Sequence, residues 1–188
     1  MNRKPVCIFC NSDFPIKYQL ISDVPKFWFF VSNRSPQTDY HCLIVLKAEV
    51  VDKIGHISDL GDEKLPDEVM REFGILLKKA CLSIKKSDSS IEKVLIASLN
   101  TGERSKHLHF HLIPKRDNEP VKTVNDPCKD GGGMFFLGRK EIVHDTFSDF
   151  LELTTGDMSE ELKKKIEKAT EARVTENTQR LKKKFTWD

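Results

Sequence analysis

The sequence predicts a fold of mixed helices and strands, and three observations carry that expectation. Short runs rich in β-branched and aromatic residues fall at residues 27–31 and 40–47. One long segment, 65–86, carries apolar residues at helical spacing. A further run, 106–113, alternates histidine with apolar residues at the two-residue period of a strand.

Taken in chain order, residues 17–20 and 27–31 read as two short strands around Ser22-Asp23-Val24-Pro25. A polar loop at 33–39 leads into the buried strand at 40–47. The long helix has Pro66 near its first turn, followed by Asp67 and Glu68, which suit its positive end. Val69, Phe73, Leu76, Leu77, Ala80 and Ile84 form one apolar stripe, and Lys78, Lys79, Lys85 and Lys86 crowd the later turns. Strands follow at 93–99 and 106–113. Residues 117–133 read as a polar loop with two prolines and the run Gly131-Gly132-Gly133, and 134–137 as a short strand or a buried loop. Ile142, Val143, Phe147, Phe150 and Leu151 suit a short helix over 142–153.

Asp157-Met158-Ser159-Glu160 resembles a helix-capping box, so a charged helix is expected from 159 to about 184. Its apolar stripe of Leu162, Ile166 and Ala169 fades toward the end. From Ser159 to Asp188 nine Lys and Arg interleave with six Asp and Glu, so a solvated helix is the default expectation. Trp187 either packs on a partner or over a pocket, or is disordered.

A chain of 188 residues is expected to form one domain, with an appendage, and can bury a core without disulfides. No apolar run reaches membrane-spanning length, and no apolar signal core follows Met1. Five cysteines (Cys7, Cys10, Cys42, Cys81 and Cys128) are an odd set for a disulfide framework. The expectation is a soluble cytoplasmic protein. A net charge of +2 makes no case for nucleic acid or a membrane surface as partner.

The chemistry concentrates in His107-Leu108-His109-Phe110-His111-Leu112-Ile113-Pro114. On a strand the three histidines share one face and Leu108, Phe110 and Leu112 the other. The apolar face would pack under the long helix. The histidine face is expected to be polar or solvent-accessible, because buried imidazoles need hydrogen-bond partners. Three aligned imidazoles suit either a metal site or nucleophilic attack on phosphorus. His144 reads as an ordinary histidine, residues 131–133 as a flexible loop, and Cys42 and Cys81 as core.

Residues 107–113 match the signature of the histidine-triad family, histidine–apolar–histidine–apolar–histidine–apolar–apolar, at every position. Tyr40-His41-Cys42-Leu43-Ile44-Val45-Leu46-Lys47 resembles that family's earlier strand, and Asn100-Thr101-Gly102 its turn ahead of the triad. The resemblance covers roughly residues 5 to 117. It implies an α+β fold: a mostly antiparallel sheet of about five strands, a long helix on one face, and here an added C-terminal helix. It also implies a catalytic domain over 1–155, a charged helical extension over 156–188, and a homodimer.

By the same resemblance His109 is the nucleophile toward the α-phosphorus of a nucleotide ester, anhydride or phosphoramidate. Diadenosine polyphosphates and adenosine phosphoramidates are the substrate types implied. His111 and His41 match positions that bind and polarise the phosphate, and Asn100 a contact near ribose or phosphate. The family's Gly-Gln-rich stretch is missing: Glu103-Arg104-Ser105-Lys106 stands there, leaving Ser105 or Lys106 to supply its donors. Hydrolysis is favoured over transfer because the related uridylyltransferases carry glutamine at the position of His111. The alternative is a non-catalytic nucleotide-binding or adaptor protein on the same scaffold. A catalytic metal on the three histidines is a third, weaker reading.

Cys7-Ile8-Phe9-Cys10 resembles the cysteine pair of the family's zinc-containing branch, and its spacing suits a zinc ligand pair. The resemblance makes His107 the third ligand of a structural zinc. Counting along the family pattern lands the fourth on Glu49, while an insertion would bring His56 there instead. Both are acceptable ligands.

Overall fold

Continuous apolar runs over 28–31 and 42–46 make two neighbouring strands of one sheet. The computed structural model describes residues 7–16, 19–34, 36, 38–98, 106–116, 121–124, 134–137 and 160–187. Its strands are β1 (Leu20–Ser22), β2 (Trp28–Ser32), β3 (Cys42–Leu46), β4 (Ile91–Ala97) and β5 (His109–Arg116). They form a five-stranded sheet in the order β1-β2-β3-β5-β4, with every pair antiparallel. The fold is α+β. A second sheet pairs β6 (Val121–Val124) with β7 (Met134–Leu137).

Among the described residues three α-helices accompany the sheet: α1 (Ala48–Ile54), α2 (Asp67–Ser87) and α3 (Glu160–Lys182). Pro66 caps the start of α2, and Val69, Phe73, Leu76, Ala80 and Ile84 bury its stripe against one sheet face. Trp28, fully buried, joins the layers: its indole N–H donates to the Val69 carbonyl at 3.0 Å. Phe73 lies 5.1 Å from the Trp28 ring and 4.5 Å from Phe110. Cys42, Ile44, Leu108, Phe110 and Leu112 complete this side of the core.

The opposite face carries a smaller cluster of Val31, Leu43 and Val45, covered by Phe9 from a 3-10 turn, Ile8–Cys10. Phe14 packs on Phe9 at 5.1 Å and reaches Phe29 at 6.1 Å. The N-terminal segment thus covers the histidine face, which the sequence reading expected to be polar or solvent-accessible.

Several elements differ from the sequence reading. β5 starts at His109 rather than 106, so His107 precedes the strand. Residues 121–124, read as loop, form β6, and 134–137 form its partner strand. The sequence reading assigned no helix at 48–54. α1 has only seven residues and no side-chain cap, so local signals were weak. Gly55, at φ 84°, ends it in the left-handed region that glycine adopts without strain.

The later turns of α3 are not a solvated extension. Val174, Thr178 and Leu181 are buried, while Ala169 of the expected stripe is exposed. The Thr178 and Ser32 hydroxyls pair at 2.7 Å, and Phe185 packs on Phe30 at 5.1 Å. Trp187 stacks toward Phe185 beneath the Lys79 ammonium. Residues 142–153, 131–133 and most of the capping box lie outside the described residues. Among the described residues no helix is long and apolar enough to cross a membrane.

Candidate active site and metal cluster

The register of β3 on β5 decides which side the histidines face. His109 pairs with Val45 and His111 with Leu43, so both rings project to the face away from α2. His107 follows the same side, because the Leu46 N–H donates to the Leu108 carbonyl at 3.1 Å and prolongs the pairing.

Each triad ring has a defined partner. The His107 ring, fully buried, donates from Nε2 to the Leu46 carbonyl at 2.6 Å. The carbonyl can only accept, so the neutral ring carries its lone pair on Nδ1. His109 donates from Nδ1 to the His107 carbonyl at 2.8 Å, which leaves its lone pair on Nε2. His111 Nδ1 stands 3.0 Å from His41 Nε2. Asn33 Nδ2 lies 3.2 Å from that same His41 nitrogen. Phe9 sits 4.7 Å from the His109 ring and 5.3 Å from that of His107.

All four imidazoles are held below the ordinary value for histidine. Burial is the leading cause in each. His107 drops to about 4, with its bond to Leu46 opposing the fall, and His111 drops to about 3, with His109 adding to it. His41 falls well below 6.5, helped by His111, and His109 falls less, opposed by its bond to the His107 carbonyl. Near neutral pH these rings are uncharged, which nucleophilic nitrogen requires.

The lone pair of His107 faces two thiols. Cys7 Sγ is 3.5 Å and Cys10 Sγ 3.3 Å from Nδ1, and His56 Nε2 is 3.3 Å from Cys10 Sγ. The donor atoms of Cys7, Cys10, His56 and His107 all lie within 4.8 Å of one another. Tetrahedral zinc with bonds of about 2.0–2.3 Å spaces its ligand atoms about 3.3–3.8 Å apart, so the set fits that ion. Burial, the adjacent Cys7 and then Asp52 push the Cys10 thiol up to about 12, so a cation is what would hold it as thiolate.

His41, His107, His109 and His111 are thus brought together, and His56 completes the cysteine cluster. Glu49 sits exposed in the first turn of α1 and is not in that group. α1 and the Gly55 that ends it lead the chain on to His56. Lys106 is exposed beside His107. Asn100 and Ser105 lie outside the described residues. Sequence reasoning passed over Phe9, although it sits inside the cysteine pair, and Asn33. It had no signal for the Leu46 carbonyl, a backbone atom.

The HIT domain family matches residues 15–118, more than half of the chain. The chain belongs to the HIT family. Membership supports a nucleotide-binding or nucleotide-hydrolase role on the HIT scaffold. The matched span of this HIT protein holds all three triad histidines, His41 and His56, and begins after Cys7 and Cys10.

Among solved structures the HIT chain is similar to a zinc-bound histidine triad family protein from Mycobacterium smegmatis. The TM-score is 0.47 and the identity 21%, over 68% of this chain and 88% of that one. A hypothetical protein from Leishmania major is 25% identical over 86% of this chain and 99% of its own, at a TM-score of 0.46. A hypothetical histidine triad nucleotide-binding protein from Sulfolobus tokodaii is 15% identical, over 90% and 91%, at 0.44. Among curated proteins none matches it.

Proposed function

We propose that this HIT protein is a nucleotide hydrolase in which His109 Nε2 attacks the α-phosphorus of a nucleotide ester, anhydride or phosphoramidate. The bond from phosphorus to the leaving group breaks as the bond to Nε2 forms. Water then resolves the nucleotidyl-His109 intermediate to the nucleoside monophosphate. Diadenosine polyphosphates and adenosine phosphoramidates are the candidate substrates.

The observation that carries this reading is the 2.8 Å bond from His109 Nδ1–H to the His107 carbonyl. It fixes the tautomer with the lone pair on Nε2 and holds the ring at one angle, as in-line attack demands. His41 and His111 supply the neighbouring donors. The 3.0 Å bond between His41 Nε2 and His111 Nδ1 sets the two rings against each other, and a ring proton outside that bond is the donor proposed for a phosphate oxygen. Lys106, with Asn100 and Ser105, is proposed to contact the nucleotide.

Cys7, Cys10, His56 and His107 are proposed to hold a structural zinc, which when bound supplies a four-ligand anchor with no open position. The chain's own part is to present His107 Nδ1, fixed by the Leu46 carbonyl, and to tie the Ile8–Cys10 turn beside His109. A homodimer is also proposed. The support is that β4 ends the sheet with Ile96 half exposed, and light scattering tests it.

A second reading, a nucleotide-binding or adaptor protein that does not turn over, draws on one observation. His109 is only 5% exposed beneath Phe9. AMP release from adenosine phosphoramidate or a diadenosine polyphosphate separates the two. Hydrolysis predicts that His109→Ala and His109→Asn lose about a thousandfold or more in kcat while nucleotide binding persists. Binding by the native protein with no AMP release would leave the adaptor reading standing.

A further inference from the structure

The turn that delivers His41 is held from far along the chain. Tyr40 sits at φ 64°, in the left-handed region that a bulky residue enters only when its surroundings impose it. His41 follows directly, and its ring meets His111 at 3.0 Å. Thr38, Asp39 and Tyr40 are each tied by their side chains to other elements. Arg116 donates to the Thr38 hydroxyl at 2.9 Å. The Asp39 Oδ1 atom accepts from both Arg173 Nε and Asn177 Nδ2, neighbouring residues on one face of α3. Arg180 of the same helix reaches the Tyr40 hydroxyl at 3.3 Å.

The stability these contacts add is small. Arg173 and Asp39 are 48% and 34% exposed, and pairs so open to water contribute little. Their geometry is well defined, because two donors converge on one carboxylate oxygen next to a left-handed residue. The backbone bonds of the turn carry that geometry onward: His41 N–H donates to the Thr38 carbonyl at 3.2 Å, and Asn33 N–H to the His41 carbonyl at 2.9 Å.

We infer that α3 is a positioning element for the histidine site. Arg173 and Asn177 hold Asp39, and through Tyr40 they set the His41 ring against His111. The consequence for turnover rests on the hydrolase reading above; the placement of the two rings does not.

The test uses the full-length, metal-loaded protein and the double variant Arg173→Ala/Asn177→Ala, with Arg173→Lys as the conservative control. Imidazole nitrogen NMR reads His41 and His111 directly, and thermal melting reads stability. The expected result is displaced His41 and His111 signals in the double variant with a nearly native melting temperature. With adenosine phosphoramidate as substrate, kcat falls about tenfold while KM stays within about twofold, and the lysine variant restores both ring signals and rate. Ring signals superimposable on those of the native protein, whatever the melting temperature, would overturn the inference. Displaced signals in a protein that releases no AMP even in native form would keep the inference and remove the hydrolase reading.

Discussion

The Nε2 atom of His107 stands 2.6 Å from the carbonyl oxygen of Leu46, and this contact commits the opposite ring nitrogen to the cysteine pair. A ligating histidine whose second nitrogen is bonded to a backbone carbonyl is oriented before any ion arrives. The expected outcome is one zinc per chain in protein purified without chelator, measured by elemental analysis. Cys10→Ser and His56→Ala should each lose most of it, and Glu49→Gln should lose none. Chelation should lower the melting temperature of the native protein but barely move that of Cys10→Ser. Full zinc content in His56→Ala would remove His56 from the ligand set.

His41 and His111 share one hydrogen bond at 3.0 Å, which neutral rings can make and two charged rings cannot. Burial holds both below 6.5, His111 at about 3; His111 adds to the fall of His41, and His109 to that of His111. In the unfolded chain they titrate near 6.5, so between roughly pH 3 and 6.5 the unfolded state binds more protons. The stability from keeping them neutral is therefore complete above about pH 6.5 and is lost progressively as the pH falls toward 3. One such histidine gives a slope of about 1.4 kcal/mol per pH unit across that window. Urea unfolding at several pH values should show His111→Asn flattening the profile by about that much. Parallel profiles for variant and native protein would show that His111 is not held neutral.

Leu181 is fully buried and seats the end of α3 in the same core as Trp28 and Phe30, and Val174, two turns earlier, is buried as well. Truncating a buried leucine removes its transfer energy and leaves a cavity, at a cost of about 2–5 kcal/mol. Leu181→Ala should lose that much in denaturant unfolding, whereas Ala169→Ser, at an exposed position of the same helix, should lose almost nothing. A Leu181→Ala variant as stable as the native protein would mean that the helix end is not part of the core.

That helix also shows where the sequence stops being legible. The stripe on α2 is visible because five of its buried residues, Val69, Phe73, Leu76, Ala80 and Ile84, are apolar and recur at helical spacing. On α3 the buried face runs Val174, Asn177, Thr178 and Leu181, and its two middle members are polar. Their burial is made acceptable by Asp39 and Ser32, partners more than a hundred positions away in sequence. The same limit applies at the site. The common face of the triad follows from strand alternation, but the Leu46 carbonyl that fixes His107 belongs to the backbone of another strand. The choice between Glu49 and His56 turned on a seven-residue helix and the glycine that ends it, both below what local pattern resolves.

Phe9 links the cysteine turn to His109. It is buried between Cys7 and Cys10 in sequence, its ring lies 4.7 Å from that of His109, and Phe14 backs it at 5.1 Å. Phe9→Ala removes the only aromatic contact to His109 from the N-terminal turn among the described residues, at a stability cost of about 3–5 kcal/mol if the gap does not collapse. Phe9→Leu keeps most of the volume and should cost about 1.5 kcal/mol or less. If the ring also steadies His109, AMP release should fall by about tenfold in Phe9→Ala under conditions where the variant is fully folded, and zinc content should hold because both thiols remain. If Phe9 instead shields His109 from substrate, the same variant should turn over faster than the native protein. Unchanged kcat and KM in folded Phe9→Ala would reduce Phe9 to packing alone.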